Sequence, residues 1–283
     1  MSQTYADLQI VLINDGSTDD SWRIMQDIAG TDSRMEIYTR ENRGVAATRN
    51  ELLSKANGDF VLFVDSDDWI EHNMVEVLIR EQQKQSADIV ASRINLHEID
   101  GVFSREEVVE MFLVHKVFNG SLWNKLIRRD LFNGLTFNAA ISYGEDALMI
   151  WSIIQKVDQV AIISQHLYHV EPNPQSLSRK KLDKKKFSVY NVWNGICADV
   201  DAAWPQFSDI GHARFACEMT LILRDAIKTG YQRDEYVKTL QEEIRRDVHL
   251  IPRTGISTWA MYAFAWLVSH NYWLASHISH IVW

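Results

Sequence analysis

Cysteine is nearly absent. Cys197 and Cys217 are the only two in 283 residues, which excludes a disulfide framework and any cysteine-cluster zinc or iron–sulfur centre. Four prolines and twelve glycines are too few for a collagen-like or low-complexity chain. Positive charge is in deficit: 29 Lys and Arg stand against 38 Asp and Glu, a net of −9, so bulk attraction to nucleic acid is not expected. No apolar stretch near the start has the form of a secretory leader, and a cytoplasmic chain is expected. Beyond Arg253 ionic charge disappears: no Asp, Glu, Lys or Arg follows up to Trp283. What the chain does have is 46% hydrophobic and 24% charged residues. That is enough for one large α/β domain, or a domain with an appendage, to bury a core without staples.

Hydrophobic patterning alternates between strand and helix. Leu8 to Ile13 is an apolar run of strand length that stops at Asn14-Asp15-Gly16. Ser17 or Thr18 is placed to cap a helix, with Asp19 and Asp20 in its first turn and Trp22, Met25 and Ile28 as its apolar stripe. A strand over Met35–Tyr38 and a helix over Val45–Ala56 follow. Phe60 to Val64 is wholly apolar, the pattern of a strand buried on both faces of a parallel sheet. A helix from Glu71 to Gln85, a strand from Asp88 to Ile94 and a Ser104/Glu107 capping box opening a helix at Arg105 continue the series. The pattern predicts an α/β fold with a mostly parallel sheet. Ligands of such sheets bind beyond the carboxyl ends of the strands. From about Leu182 onward helical periodicity dominates.

Two acidic segments stand out. Asp65-Ser66-Asp67-Asp68 carries three carboxylates in four residues, directly after an apolar strand. They repel one another unless a cation or an array of donors neutralises them. Oxygen-rich turns of this kind suit Mg²⁺ or Mn²⁺; the alternative is a solvated turn in which Asp68 caps the next helix. Gly144-Glu145-Asp146 opens an apolar helix, where the helix dipole alone accounts for carboxylates.

Taken in order, these blocks resemble the family 2 glycosyltransferases of the GT-A fold, the bacterial group that builds surface polysaccharides. The matching residues are Gln3-Thr4-Tyr5, Gln9, Ile13 to Asp19, Asn42-Arg43-Gly44, Ala47 to Asn50, Asn57-Gly58-Asp59, Phe63 to Trp69, Trp123 to Arg129, Gly144-Glu145-Asp146, and Tyr168 through Ser176-Leu177-Ser178. The resemblance implies transfer of a sugar from a nucleotide-diphospho-sugar, UDP-sugar being the implied donor class, to the hydroxyl of a saccharide or lipid-linked acceptor, with inversion. By the family pattern Asp15 contacts the base, Asp65 the ribose, and Asp67 a divalent metal, Mn²⁺ or Mg²⁺, that bridges the diphosphate. Asp146, paired with Glu145, is the implied general base. Arg49 is assigned to the nucleotide and Lys125 to phosphate or acceptor, each with a structural salt bridge as the alternative. His169, or His166, is a further candidate metal ligand, with a packed structural histidine as the alternative.

The departures also carry information. Family members place another strand and helix, roughly 20–30 residues, before the Gln-Thr-Tyr block. The expectation is therefore a catalytic domain over 1–180 that is N-terminally incomplete, followed by a helical region over 181–283. Asn14 replaces a frequent aspartate, and Val170 and Glu171 stand where an aromatic and a basic residue are common. Two rivals follow: a non-catalytic or truncated relative that binds nucleotide or a partner, and a haloacid-dehalogenase-type phosphatase. The latter also has an apolar strand ending in Asp-x-Asp, but this chain has Asp68-Trp69 where that family wants a threonine soon after.

The uncharged tail holds Trp259, Trp266, Trp273 and Trp283. Its continuous apolar core, Trp259 to Val268, is shorter than the about 20 residues of a spanning helix. Aromatic-rich amphipathic helices suit the bilayer interface, as does the basic run Arg179-Lys180-Lys181 with Lys184-Lys185-Lys186. The expectation is peripheral contact with the inner face of the cell membrane; the alternatives are a helical cap docked on the catalytic domain for the tail and, for the basic run, a solvated helix start or a segment folded over the diphosphate.

Overall fold

The computed structural model describes residues 2–93, 99–115, 117–172 and 184–282. The chain divides into two compact units. The first comprises Met1–Val108, Gly120–Ala140 and Met149–Pro172, and the second Val109–Asn119, Ile141–Leu148 and Asn173–Trp283.

In the first unit the apolar run becomes β1 (Ile10–Asp15), followed by α1 (Ser21–Ala29), β2 (Met35–Arg40), α2 (Val45–Lys55) and β3 (Phe60–Leu62). Then come β4 (Trp69–Ile70), α3 (Met74–Gln85), β5 (Ile89–Ser92), β6 (Gly101–Ser104), α4 (Arg105–Val114), β7 (Lys125–Arg128), α5 (Glu145–Ile154), β8 (Gln159–Ile163) and β9 (Tyr168–His169). Helices α4 and α5 each run from one unit into the other. The α/β class holds, but the sheet is mixed rather than mostly parallel. Among the described residues β1–β2 and β5–β8 are parallel, while β3–β7, β5–β7, β6–β8 and β4–β9 are antiparallel. Apolar strand composition reports burial, not the direction of a neighbour, and β7 enters between β3 and β5 from much later in the chain.

The sheet is also interrupted. Among the described residues β1 pairs only with β2, and β3 forms the edge of the five-stranded order β3-β7-β5-β8-β6. The expectation that Phe60–Val64 is buried on both faces fails: the strand is three residues long and half-buried, and Val64 is 46% exposed. Burial on both faces belongs instead to β5, each of whose residues is buried. Its Val90 lies in register with Leu126 and Ala161, and these three pack beneath Met74 and Leu78 of α3.

Local chemistry sets the helix starts. The capping box forms as expected, the Ser104 N–H donating to Glu107 Oε2 at 2.8 Å and the Glu107 N–H to Ser104 Oγ at 3.4 Å. The first helix starts later than its candidate caps Ser17 and Thr18. Asn14 Oδ1 accepts the Ser17 N–H at 3.0 Å, and Gly16 takes a positive φ of 76°, so the chain completes a turn before Asp19 Oδ1 receives the Ser21 N–H at 3.0 Å. A Cβ on Gly16 would lie 2.7 Å from the Asn42 nitrogen, which explains the glycine. Gln3 ties the N-terminal segment down: its side chain donates to Glu71 O at 2.7 Å and accepts the Val75 N–H at 3.1 Å, closing an open amide of α3.

The second unit is helical: α6 (Ser188–Ala203), α7 (Ser208–Lys228), α8 (Glu235–Asp247), α9 (Ile251–Thr254), α10 (Trp259–His270) and α11 (Tyr272–Val282). Asp234 caps α8 by accepting the Val237 N–H at 3.1 Å, and Thr258 caps α10 by accepting the Met261 N–H at 3.2 Å. Both cysteines are buried here, and burial pushes their thiols up, Cys197 to about 12 and Cys217 to about 11. They are packing residues. Of the basic run, residues 179–181 lie outside the described residues, as do Ser176-Leu177-Ser178. Lys186 is buried, 3.7 Å from Asp225 and 5.1 Å from the Tyr143 ring centre, so it is neither solvated nor offered to a lipid surface.

Candidate nucleotide-sugar site

Asp15 ends β1 opposite Arg40, the last residue of β2. Its Oδ1 accepts Arg40 Nε at 2.9 Å and the Arg43 N–H at 3.0 Å, and its Oδ2 accepts the Gly44 N–H at 2.8 Å. Burial alone would raise the Asp15 pKa, but the two amides and the guanidinium outweigh it and hold the carboxyl below its ordinary value. Arg40 continues to Thr48 Oγ1 at 2.9 Å and to Glu51. Asp15 therefore fastens the end of β1 to the turn that opens α2.

The next acidic segment follows β3. Asp65 is half-buried, and Ser66 and Asp67 are exposed. Arg49, on α2, brings Nη2 to 3.7 Å from Asp65 Oδ1, with only 11% of its side chain exposed and its guanidinium 5.6 Å from the Phe137 ring centre. The Asp68 N–H closes the turn on Asp65 O at 3.1 Å. Asp68 does not cap a helix. Trp69 and Ile70 pair with His169 and Tyr168, and α3 starts only at Met74. The Asp68 carboxylate points instead to β9, where Oδ2 accepts the Tyr168 O–H at 2.8 Å and Oδ1 the Glu171 N–H at 3.0 Å. Burial is the main cause that pushes the Tyr168 phenol well above its ordinary pKa, so it stays a donor at neutral pH.

His169 stacks on Trp69 with ring centres 3.7 Å apart, and its Nε2 lies 2.9 Å from Glu71 Oε1. His166 meets His169 edge-on at 4.7 Å; burial first, and His169 second, lower its pKa. Trp69 Nε1 donates to Glu171 Oε1 at 2.9 Å. Glu171 thus has a defined job where the family pattern expects a basic residue. Lys125 is buried, its ammonium donating to Ser121 O at 2.7 Å and Asn124 Oδ1 at 2.8 Å. Glu145 and Asp146 lie half-buried in the first turn of α5, within the second unit. Gly144 precedes them with φ 87° and accepts the Leu148 N–H at 3.0 Å.

The structure thus joins Arg49 to Asp65 and folds Asp65, Asp67 and Asp68 into one turn, with Lys125 held separately by Ser121 and Asn124. The roles of Arg40, Glu71 and the Tyr168 hydroxyl were not legible in the sequence. Each acts on a partner 25 to 100 residues away, and no local pattern signals such pairs.

Residues 1–157 match the family model described as Glycosyl transferase family 2. This chain belongs to that family. Among its relatives are glycosyltransferase GlyA of Streptococcus pneumoniae serotype 4, 31% identical over 204 residues and 65% of this chain, and the cholesterol galactosyltransferase of Borreliella burgdorferi, 29% identical over 212 residues and 67% of this chain. The matched stretches span 29% and 59% of those two proteins. Among solved structures, S. aureus TarS 1–349 in complex with UDP-GlcNAc covers 99% of this chain at a TM-score of 0.66 and 16% identity, with 85% of that chain matched. The likeness establishes the GT-A fold for this family 2 member.

Proposed function

We propose that this chain transfers a sugar, with inversion, from a UDP-sugar to the hydroxyl of a saccharide or lipid-linked acceptor in bacterial polysaccharide or glycolipid synthesis. The observation that carries it is the Asp65–Asp68 turn, with Arg49 held 3.7 Å from Asp65, in a chain of glycosyl transferase family 2. The S. aureus TarS structures that hold UDP and UDP-GlcNAc support a uridine nucleotide as donor.

The donor set fits a hard divalent cation. Its groups are the oxygens of exposed Ser66 and Asp67 and of half-buried Asp65, and among the described residues no three His, Cys, Asp or Glu side chains converge to hold an ion unaided. Carboxylate and hydroxyl oxygens suit Mg²⁺ or Mn²⁺, whose sites are completed by substrate phosphates and water. Asp67 would hold the ion, which when bound neutralises charge developing on the leaving diphosphate, and Asp65 would contact the ribose. His169, its Nε2 on Glu71, would join through Nδ1 or by exchanging that contact. Asp15 and Arg49 line the nucleotide side. Asp146, with Glu145 beside it, would take the proton from the attacking acceptor hydroxyl as the bond to the sugar carbon forms. Lys125 acts through Asn124 and Ser121 rather than on phosphate.

The helical unit adds a membrane contact to this activity. On α10, Trp259 is 75% and Trp266 49% exposed, and on α11 Trp273 is 67% exposed. Exposed indoles of this kind fit the interface between headgroups and acyl chains; no described helix is long and apolar enough to cross a membrane. The interrupted sheet favours one competing reading, a relative that binds nucleotide without transfer.

The test is a melting experiment with UDP and Mn²⁺. Binding at a hundredfold excess over Kd stabilises by about 2.7 kcal/mol, and Asp67→Ala should abolish the metal-dependent part. An unchanged shift in that variant removes Asp67 from the role. Sugar release from UDP-sugars, followed by chromatography, separates transfer from binding alone.

A further inference from the structure

The three carboxylates of the acidic turn do not have the same surroundings. Asp67 is exposed and Asp65 half-buried beside Arg49. Asp68 faces inward, both oxygens taken by β9 and the residues after it: Tyr168 O–H at 2.8 Å and Glu171 N–H at 3.0 Å. The same phenol oxygen accepts the backbone N–H of Asp65 at 2.9 Å. One atom is thus bonded to the first and the last residue of the turn. Its own position is fixed from behind. Tyr168 is 1% exposed, its ring packs on Trp123 with centres 4.6 Å apart, and its backbone is paired with Ile70.

We propose that Tyr168 is the positioning residue of the acidic turn: its hydroxyl turns Asp68 away from the cation and sets the backbone from which Asp67 reaches it. This rests on the nucleotide-sugar reading above. Three unneutralised carboxylates in one turn would repel, and a turn free to rearrange would have to be ordered whenever metal and diphosphate bind. A phenol suits the task because it donates once and accepts at the same oxygen. Phenylalanine keeps the ring and loses both bonds, which makes a clean variant.

The experiment is calorimetric titration of the full chain with UDP in the presence of Mn²⁺ and in EDTA. Tyr168→Phe should weaken the Mn²⁺-dependent affinity roughly tenfold, as loss of one to two buried hydrogen bonds does, with little change in EDTA. Asp68→Asn should do likewise, and the double variant should be no worse than the single ones, since the pair acts as a unit. A merely structural tyrosine would lower the melting temperature and leave Mn²⁺-dependent UDP affinity at the wild-type value; that result overturns the proposal. If Tyr168→Phe does not fold by circular dichroism, Asp68→Asn carries the test with the same two outcomes. A wild-type chain that takes up no UDP at any Mn²⁺ concentration overturns the nucleotide-sugar reading itself, and this assignment with it.

Discussion

Arg40 and Asp15 face each other across β1 and β2 as the last register pair, and their side chains meet at 2.9 Å. The pair converts the end of a parallel ladder into a clamp on the turn at Asn42–Gly44. Asp15→Asn removes the charge that three donors converge on and should cost about 1–3 kcal/mol, read by urea denaturation. The sign with pH follows from the depressed pKa of the folded-state carboxyl: its stabilisation is present above the ordinary aspartate value and lost as pH falls through the lower folded value. Wild type should lose stability on acidification more steeply than the variant.

Asp146→Asn should separate chemistry from binding. With the general base gone, turnover is expected to fall about 10²-fold or more while UDP affinity holds. Steady-state kinetics beside a direct binding measurement read both, and full activity in the variant would sink the assignment.

His212 links the helical unit to pH. Its Nδ1 lies 3.2 Å from the buried Asp247 and its Nε2 3.1 Å from Asp201. The hydrogen bond to Asp247 leads the causes that raise its pKa, ahead of burial, which opposes. A raised folded-state pKa contributes stability that is complete below the unfolded value, about 6.5, and is lost as pH rises through the folded one. Melting temperature should therefore drop between pH 6 and pH 8.5 in the wild type, and His212→Asn should flatten that drop.

Replacing Trp259, Trp266 and Trp273 together by alanine should release the chain from anionic liposomes. Burying a large apolar side chain stabilises by about 1.5 kcal/mol or more, roughly tenfold in partitioning for each. Co-sedimentation of wild type and triple variant measures it. Equal pelleting of the two would remove these indoles from membrane contact.

The sequence carried burial well and partnership poorly. Leu8–Ile13, the Ser104/Glu107 box and the helical periodicity after Leu182 each rest on interactions within a few residues, and β1, α4 and α6–α8 formed close to those signals. Phe60–Val64 misled because an edge strand and a central one can share an apolar sequence; only the neighbours decide. At the site, the acidic cluster was legible as composition, but the inward turn of Asp68 depends on a tyrosine 100 residues away. In the tail Phe264, Ala265 and Val268 are buried, and Gln241 of α8 donates to Val268 O at 2.7 Å, while three tryptophans on the same segment stay open to solvent.

The interruption between β1 and β3 has a colloidal consequence. Each of these strands is paired on one side, and neither finds a second partner strand among the described residues. A row of amides and carbonyls left this way accepts any extended segment that diffuses past, whatever its sequence. Encounters between two such molecules grow with the square of concentration, whereas unfolding of one molecule does not depend on it. Pairing of two such molecules edge to edge therefore depends on concentration, and light scattering across a dilution series reads it.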